Sequence, residues 1–143
     1  MRSAKNIVDE IEILFQQYGN KEYWFVDDNF LSATRFNRNY VIEFAEEIKK
    51  RKLDLHFHLA CRADEITEDN VSILVGIGLK SVMVGIESAN ERQLKFYNKG
   101  YKPEKCVSAI NILKKYKIRR IHIGFIMFDP YVTIDELQEN LNY

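Results

Sequence analysis

Tyr23-Trp24-Phe25-Val26-Asp27-Asp28-Asn29-Phe30 is the stretch of sequence that decides the fold. Four apolar residues lead directly into two adjacent carboxylates and then a loop. This pattern is typical of a buried strand in a parallel sheet, whose carboxyl end lies at the edge where α/β proteins bind ligands. Later apolar runs end similarly, at Cys61-Arg62, at Glu87-Ser88 and at Asp129. The sequence therefore predicts four strands that bring polar side chains to one shared edge.

Helical patterns separate these four apolar runs. We expect strands over residues 22–27, 55–61, 81–86 and 120–128. Side chains that cap helices or fit a first turn precede the predicted helices, namely Ser3, Asn37, Thr67, Pro103 and Thr133. Strict alternation of helix and strand predicts parallel strands joined by helical crossovers.

The two faces of each strand distinguish between α/β architectures. Leu55, Phe57, Leu59 and Cys61 share one face of the second strand, and the opposite face carries His56, His58, Ala60 and Arg62. The third and fourth strands likewise have one apolar face and one small or polar face. A doubly wound sheet needs apolar residues on both faces, whereas a barrel needs them on one. We therefore predict an α/β fold, a partial TIM-like (β/α) barrel with about four parallel strands, flanking helices and a polar interior.

Length and charge limit the classes of protein. The chain has 143 residues, with 21 lysines and arginines against 21 aspartates and glutamates. One domain is expected, and the balanced charge gives no argument for nucleic acid or an anionic membrane. The sequence contains no apolar run of transmembrane length and its first residues lack a signal-peptide core, so we expect a cytoplasmic location. Cys61 and Cys106 are too few for a zinc knuckle or a disulfide scaffold.

The predicted edge suits a nucleoside that carries an amino acid. Carboxylates beside an arginine can hold a zwitterion, and a glutamate can accept ribose hydroxyls. The segment from Gly124 to Met127 can pack on a flat ring, because glycine permits close approach. The structural alternative is that Arg62 and Glu87 form a buried ion pair that only shapes the core.

Three other functions remain open at this point. A phospho-receiver signalling domain would use Asp27 and Asp28 as its acidic pair. A metal-dependent hydrolase would use His56 and His58, although these lie early or in the middle of their strand and not at its end. The third alternative is a binding module without catalysis.

Four motifs, in this order and spacing, resemble the radical S-adenosylmethionine (SAM) family. They are Phe25-Val26-Asp27-Asp28-Asn29-Phe30; Ala60-Cys61-Arg62-Ala63-Asp64; Val84-Gly85-Ile86-Glu87-Ser88 followed by Asn98-Lys99-Gly100; and Gly124-Phe125-Ile126-Met127-Phe128-Asp129-Pro130. The resemblance covers nearly the whole chain and is strongest to a branch whose members often carry an upstream cobalamin-binding domain. It implies an Fe-S oxidoreductase in which a [4Fe-4S] cluster reductively cleaves SAM to a 5′-deoxyadenosyl radical, with cobalamin as a further cofactor.

The resemblance also implies roles for individual residues. Asp27 and Asp28 match contacts to the amino group of SAM, and Arg62 and Lys99 match contacts to its carboxylate. Glu87 and Ser88 match contacts to the ribose of SAM. The segment Gly124, Phe125, Ile126 and Met127 matches the residues that pack on the adenine of SAM.

One departure from the family pattern bears on activity. The C-x3-C-x2-C loop that binds the cluster is missing from the sequence, and Cys61 and Cys106 do not replace it. We therefore expect residues 1–143 to be an incomplete radical SAM core, from barrel helix one through the helix after strand five. We expect this chain alone to hold no cluster or other metal, to supply no catalytic residue, to be inactive, and to self-associate through exposed barrel edges.

Overall fold

The computed structural model describes residues 2–35, 37 and 39–143. Within these residues six α-helices alternate with four β-strands, apart from one helical pair between β3 and β4. The elements are α1 Ala4–Tyr18, β1 Glu22–Trp24, α2 Tyr40–Lys50, β2 His56–Arg62, α3 Glu68–Val75, β3 Leu79–Glu87, α4 Glu91–Phe96, α5 Pro103–Lys115, β4 Arg120–Phe125 and α6 Ile134–Asn142. Short 3₁₀ segments cover Phe30–Arg35 and Ala63–Glu65.

The helix caps mostly follow the sequence signals. The hydroxyls of Ser3 and Thr67 each accept a hydrogen bond from the backbone three residues later, at 3.2 Å. Thr133 forms a capping box with Glu136. The predicted Asn37 cap is wrong, because α2 has Asn39 at its N-cap position. The Asn37 side chain instead accepts a bond from the Asn39 N–H, which forms the turn before the helix.

The four strands form one parallel sheet in the order β1-β2-β3-β4. Each strand therefore lies beside its predecessor, and right-handed crossovers place the connecting helices on one side of the sheet. In agreement with this arrangement, α1 packs on α2 and α2 packs on α3. The partial barrel is confirmed. A doubly wound sheet would need a reversal of strand order, so the receiver alternative is not favoured.

The hydrophobic core lies between the sheet and these helices. Phe57, Val84 and Ile86 are completely buried on the helix-facing side, where Phe57 packs edge-on against Phe44. On the opposite, concave face Trp24 is 64% and Met83 53% exposed. The faces of β2 and β3 thus divide as the alternation predicts, whereas Ile123, on the predicted apolar face of β4, is 45% exposed. No helix in the described part of the chain is both long and apolar enough to cross a bilayer.

Pairing between strands arranges the concave face in rows. One row near the N-terminal edge of the sheet consists of Trp24, His58, Ser81 and Arg120. A second row near the C-terminal edge consists of Arg62, Gly85 and Gly124. The register shifts once beside each row, between Phe57 and His58 and between Gly85 and Glu87. Such bulges re-aim side chains at the ends of strands.

Candidate functional site

Glu87, at the end of β3, turns back over the sheet. Its φ of 69° is in the left-handed region, which is uncommon for a residue other than glycine. A Cβ atom added to Gly85 would lie 2.6 Å from Glu87 Oε1, so glycine at position 85 leaves room for this carboxylate. Lys99 Nζ lies 2.7 Å from the same oxygen, and both side chains are less than 20% exposed. The result is a half-buried ion pair above the end of the sheet.

Arg62 lies beside this pair without joining it. Its Nε donates to Asp64 Oδ1 at 2.9 Å, and its Nη2 donates to the Lys99 carbonyl oxygen at 2.5 Å. The guanidinium also covers the Tyr101 ring at 5.3 Å, a cation–π distance. The structural alternative, an ion pair between Arg62 and Glu87, is therefore wrong, since Lys99 is the partner of Glu87.

Tyr101 is a site residue that the sequence did not indicate. Its hydroxyl donates to the Gly85 carbonyl oxygen at 3.0 Å, so Tyr101 contacts both the Arg62 guanidinium and the backbone of Gly85. Burial raises the pKa of this hydroxyl well above its ordinary value, which keeps it a hydrogen-bond donor. A lone tyrosine after the turn Asn98-Lys99-Gly100 carries no signal by which it could have been found.

Gly85 and Gly124 are paired neighbours across β3 and β4. The Glu87 carboxylate covers Gly85, whereas a Cβ added to Gly124 would meet no atom closer than 3.7 Å, so a flat ring can approach the backbone of Gly124. Phe125, Ile126 and Met127 follow and are all partly buried. The Ile126 N–H donates to the Glu87 carbonyl oxygen at 2.8 Å, which extends the pairing of the strands past β4. The predicted ring-packing segment is thus held against the Glu87 turn.

Asp27 and Asp28 lie in the exposed loop after β1. Asp27 Oδ1 accepts from the Asn29 N–H at 3.2 Å, and Asn29 Oδ1 accepts from the Arg62 N–H at 3.4 Å. Because β2 separates β1 from β3, the strand that leads to Asp27 and Asp28 lies two strand spacings, roughly 10 Å, from the strand that ends at Glu87. The structure places the two carboxylates on the same edge as Glu87 and Lys99 without bringing them into contact.

Ser88 is completely buried. Its hydroxyl oxygen lies 2.6 Å from Gln93 Oε1 and 3.0 Å from Asn140 Oδ1, and it accepts from the Asn90 N–H at 2.9 Å. Gln93 and Asn140 are buried as well, although both lie in helices whose sequences gave no sign of it. The Ser88 hydroxyl is therefore occupied inside the protein, and its ribose contact stays a prediction.

Asp129 follows β4 and joins the same network. It accepts hydrogen bonds from the Tyr97 hydroxyl and, at 3.5 Å, from Gln93 Nε2. These bonds lower the pKa of Asp129, that from Tyr97 having the largest effect, and the Tyr97 pKa rises to about 12 through burial and this bond. The network fixes the ends of β3 and β4 relative to α6.

The described residues do not fit a [4Fe-4S] cluster. Cys61 and Cys106 are buried, and burial raises their thiol pKa values to about 12 and about 11, which disfavours the thiolate that ligates iron. No group of three or more cysteine, histidine or carboxylate side chains in this part of the chain is arranged to hold a metal ion. His56 and His58, proposed for a metal hydrolase, lie at the opposite edge from Glu87.

The sequence is similar to known proteins over its whole length. The family model of the Radical SAM superfamily matches residues 1–143. An uncharacterised methyltransferase of Pyrococcus horikoshii, PH0819, is 29% identical over 141 residues, which are 99% of this chain and 30% of that protein. The 4′-phospho-dehydrooxetanocin synthase of Priestia megaterium is 33% identical over 116 residues, which are 72% of this chain and 16% of the synthase. The chain thus spans less than a third of the length of these relatives.

Solved structures share the fold. The cobalamin-dependent SAM radical enzyme OxsB, with aqua-cobalamin bound, matches 98% of this chain with a TM-score of 0.80 and 25% identity, over 22% of its own length. The radical SAM methyltransferase TsrM from Kitasatospora setae, with cobalamin and a [4Fe-4S] cluster bound, matches 99% with a TM-score of 0.85, over 26% of its length. At 18% identity the TsrM match bears on the fold alone. The resemblance seen in the four motifs is confirmed, and this chain belongs to the Radical SAM superfamily.

Proposed function

We propose that the C-terminal edge of this sheet holds SAM in a radical SAM enzyme. The observation that carries the proposal is the order of strands along that edge. Asp27 and Asp28 follow β1, Arg62 ends β2, Glu87 ends β3, and Gly124 lies near the end of β4. SAM is a linear molecule of amino acid, ribose and adenine, and its groups would meet these strands in sequence.

Each part of SAM finds a matching chemistry in this order. Asp27 and Asp28 would accept from its α-amino group, while Arg62 and Lys99 would donate to its carboxylate. Glu87 would accept from the ribose hydroxyls. The backbone of Gly124 and the side chains of Phe125, Ile126 and Met127 would pack on the adenine. In this scheme Ser88 acts from within the protein, by holding the Glu87 turn.

The Glu87–Lys99 ion pair sets a condition on binding. Both groups are assigned to SAM, yet without ligand each is the other's partner at 2.7 Å. The SAM carboxylate would replace Glu87 as the partner of Lys99, and the ribose would replace Lys99 as the partner of Glu87. Binding would therefore exchange one set of charge-assisted contacts for another, and its net free energy would be small.

We propose the same cofactors for the complete enzyme as the relatives bind. OxsB structures contain aqua-cobalamin and SAM, and a TsrM structure contains cobalamin and a [4Fe-4S] cluster. SAM supplies the 5′-deoxyadenosyl group for radical chemistry in such an enzyme. Residues 1–143 would then form four strands of its core barrel, with the cluster held by residues other than Cys61 and Cys106.

We also propose that the free edge of β1 pairs with another copy of the chain. Trp24 and, two residues later, Val26 lie beside this edge and are 64% and 95% exposed. A cleft of about 480 Å³ lies beside them, between α1 and β1. Unpaired strand edges with apolar side chains associate readily. Light scattering at increasing concentration should show dimers or larger species, and a monomer throughout would contradict this proposal.

A nuclear magnetic resonance titration tests the SAM site. Adding SAM to the ¹⁵N-labelled chain should shift the amide signals of Gly85, Glu87, Lys99 and Gly124, with a dissociation constant on the order of millimolar. S-adenosylhomocysteine lacks the sulfonium charge and tests whether the amino acid and nucleoside parts suffice. Shifts confined to other residues, or none, would contradict the proposal.

Two variants connect the shifts to the ion pair. Lys99→Met removes the carboxylate partner and should abolish saturation by SAM. Lys102→Met makes the same change three residues later at an exposed site whose Nζ lies 3.4 Å from Glu91, and should leave the titration unchanged. Equal effects of the two variants would show that the loss of a positive charge, and not the Glu87–Lys99 site, had weakened binding.

A further inference from the structure

A second polar cavity lies at the opposite, N-terminal edge of the sheet. All four strands contribute to it, and its volume is about 370 Å³. This is within the usual range for small-molecule sites. The row of His58 is four residues, roughly 13 Å, below the row of Arg62. The cavity is thus separate from the proposed SAM edge, and its lining is Glu22, His56, His58, Lys80, Arg119 and Arg120.

His58 in this lining has an unsatisfied nitrogen. The side chain is buried beneath Trp24, whose ring stacks on the imidazole at 4.3 Å and 17°. Its Nε2 lies 2.7 Å from Glu22 Oε1, whereas its buried Nδ1 has no hydrogen-bond partner within the described residues. Because a carboxylate only accepts, Nε2 carries the hydrogen, and Nδ1 is left to accept a proton or bind its donor. Buried polar atoms without partners are rare and call for an explanation.

Three of the six lining residues are cations, namely Lys80, Arg119 and Arg120. Lys80, Arg119 and Arg120 form no salt bridge with any side chain in the described part of the chain. By contrast, Arg51 contacts three carboxylates, of Asp9, Glu12 and Glu47. The single carboxylate of the lining, Glu22, is bonded to His58. Asp54, near Lys80 and His56, is held by Lys21 at 2.7 Å. Three cations therefore face the cavity with little local compensation.

We propose that this cavity binds the phosphate group of a small molecule. Two guanidinium groups and an ammonium match a phosphate, since arginine donates to it in a bidentate manner and lysine adds a compact charge. His58 Nδ1 either accepts from a protonated phosphate oxygen or, with a second proton, donates to an ionised one. The ligand enters from the N-terminal edge, so this assignment does not depend on SAM binding at the other edge.

Titrations with two probes test the site and distinguish the sources of the phosphate. Inorganic phosphate and ribose 5-phosphate are added to the full chain at constant ionic strength, with signals of the His58 imidazole and of residues 80 and 120 followed by magnetic resonance. Saturable shifts with both probes support a site for the phosphate group itself. Saturation by ribose 5-phosphate alone supports a site that also requires the attached sugar. Saturation by neither probe overturns the proposal.

Charge-matched variants separate the cavity from general electrostatics. Lys80→Gln and Arg120→Gln each remove a donor to the phosphate and should weaken binding about tenfold or more. Lys114→Gln removes an exposed cation of α5 that does not line the cavity and should leave binding within a factor of two. Equal weakening in all three variants would overturn the proposal, because it would show attraction to the overall charge of the chain. All variants should unfold at similar urea concentrations, which confirms that folding is intact.

Discussion

The two edges of the sheet treat their charges differently. At the C-terminal edge Glu87 pairs with Lys99 and Arg62 with Asp64. At the N-terminal edge Lys80, Arg119 and Arg120 face a cavity without salt bridges to the described residues. A ligand at the first edge must displace partners that already satisfy one another, whereas a ligand at the second supplies partners that are missing. The contrast predicts weak binding at the C-terminal edge, because a ligand there must displace existing ion pairs. At the N-terminal edge it predicts binding driven by attraction to the uncompensated cations.

The largest expected effect contrasts glycines at the two edges. Gly78 precedes β3 at the N-terminal edge, with a φ of 111°, and an added Cβ would lie 1.9 Å from the Leu55 carbonyl oxygen. Because this clash is with backbone, Gly78→Ala should lower the free energy of unfolding by about 3 kcal/mol. Gly85→Ala meets only the movable end of Glu87 and should cost about 1 kcal/mol or less. Urea unfolding measures both.

Gly19→Ala is the control for backbone conformation alone. Gly19 also has a positive φ, 66°, but its added Cβ would meet nothing within 4 Å. The expected cost is about 1 kcal/mol, from the left-handed conformation. If Gly78→Ala lowers the free energy of unfolding no more than Gly19→Ala does, the backbone around Leu55 can move to relieve the predicted clash.

A second prediction concerns the buried network at the C-terminal edge. Asn140 Oδ1 accepts from the Ala89 N–H at 2.7 Å, and its Nδ2 donates to Gln93 Oε1 at 3.1 Å. Asn140→Ala leaves these groups without partners and should lower the free energy of unfolding by about 2 kcal/mol. Asn142→Ala makes the same change at an exposed position of α6 and should cost about 0.5 kcal/mol or less. Similar values from urea unfolding would mean that the network does not hold this edge.

A third prediction concerns acid stability beside the same edge. Hydrogen bonds from Arg92, at 2.5 and 2.6 Å, lower the pKa of Glu136 from 4.5 to about 2. A depressed pKa in the folded state stabilises the protein above pH 4.5, and this contribution is lost as the pH falls towards 2. Urea unfolding between pH 6 and 2 should therefore show decreasing stability. Glu136→Gln should flatten this dependence, and an unchanged slope would contradict the role of Arg92.

The last prediction is that substituting either cysteine has no effect on iron binding. Reconstitution of the chain with iron and sulfide under anaerobic conditions should give no stoichiometric [4Fe-4S] absorption, because both cysteines are buried and their thiol pKa values are raised. Cys61→Ala and Cys106→Ala should give the same background iron content as the unchanged chain. A full cluster that either substitution abolished would show that the core opens to expose its thiols.

Local signals account for much of the fold. Ser3, Thr67 and Thr133 cap helices as predicted, because a cap needs only the side chain and the backbone three residues later. Strand alternation likewise separated the buried Phe57 from the exposed His56. The first strand is shorter than predicted and ends at Trp24, although Phe25 still donates to His58. Its apolar residues continue beyond the regular pairing, and sequence does not show where pairing stops.

The site was only partly predictable for a related reason. Glu87, Lys99 and Gly124 were assigned from motifs, and the structure brings them to one edge. Tyr101, Gln93 and Asn140 were missed because each acts through a contact with a residue far along the chain. Ser88 was assigned to the ribose through the family resemblance, and its hydroxyl contacts α6, 52 residues later, which no local pattern indicates.

By itself the sequence determined the alternation of helices and strands, the separation of apolar and polar faces, and membership in the Radical SAM superfamily. These depend on local periodicity and on motifs, which the order of residues states directly. Only the tertiary structure decided that Lys99, and not Arg62, pairs with Glu87, and that Lys80, Arg119 and Arg120 share a cavity. The first outcome depends on the left-handed backbone of Glu87 and on the loop that carries Lys99, and the second on strand register. Packing between distant segments determines both.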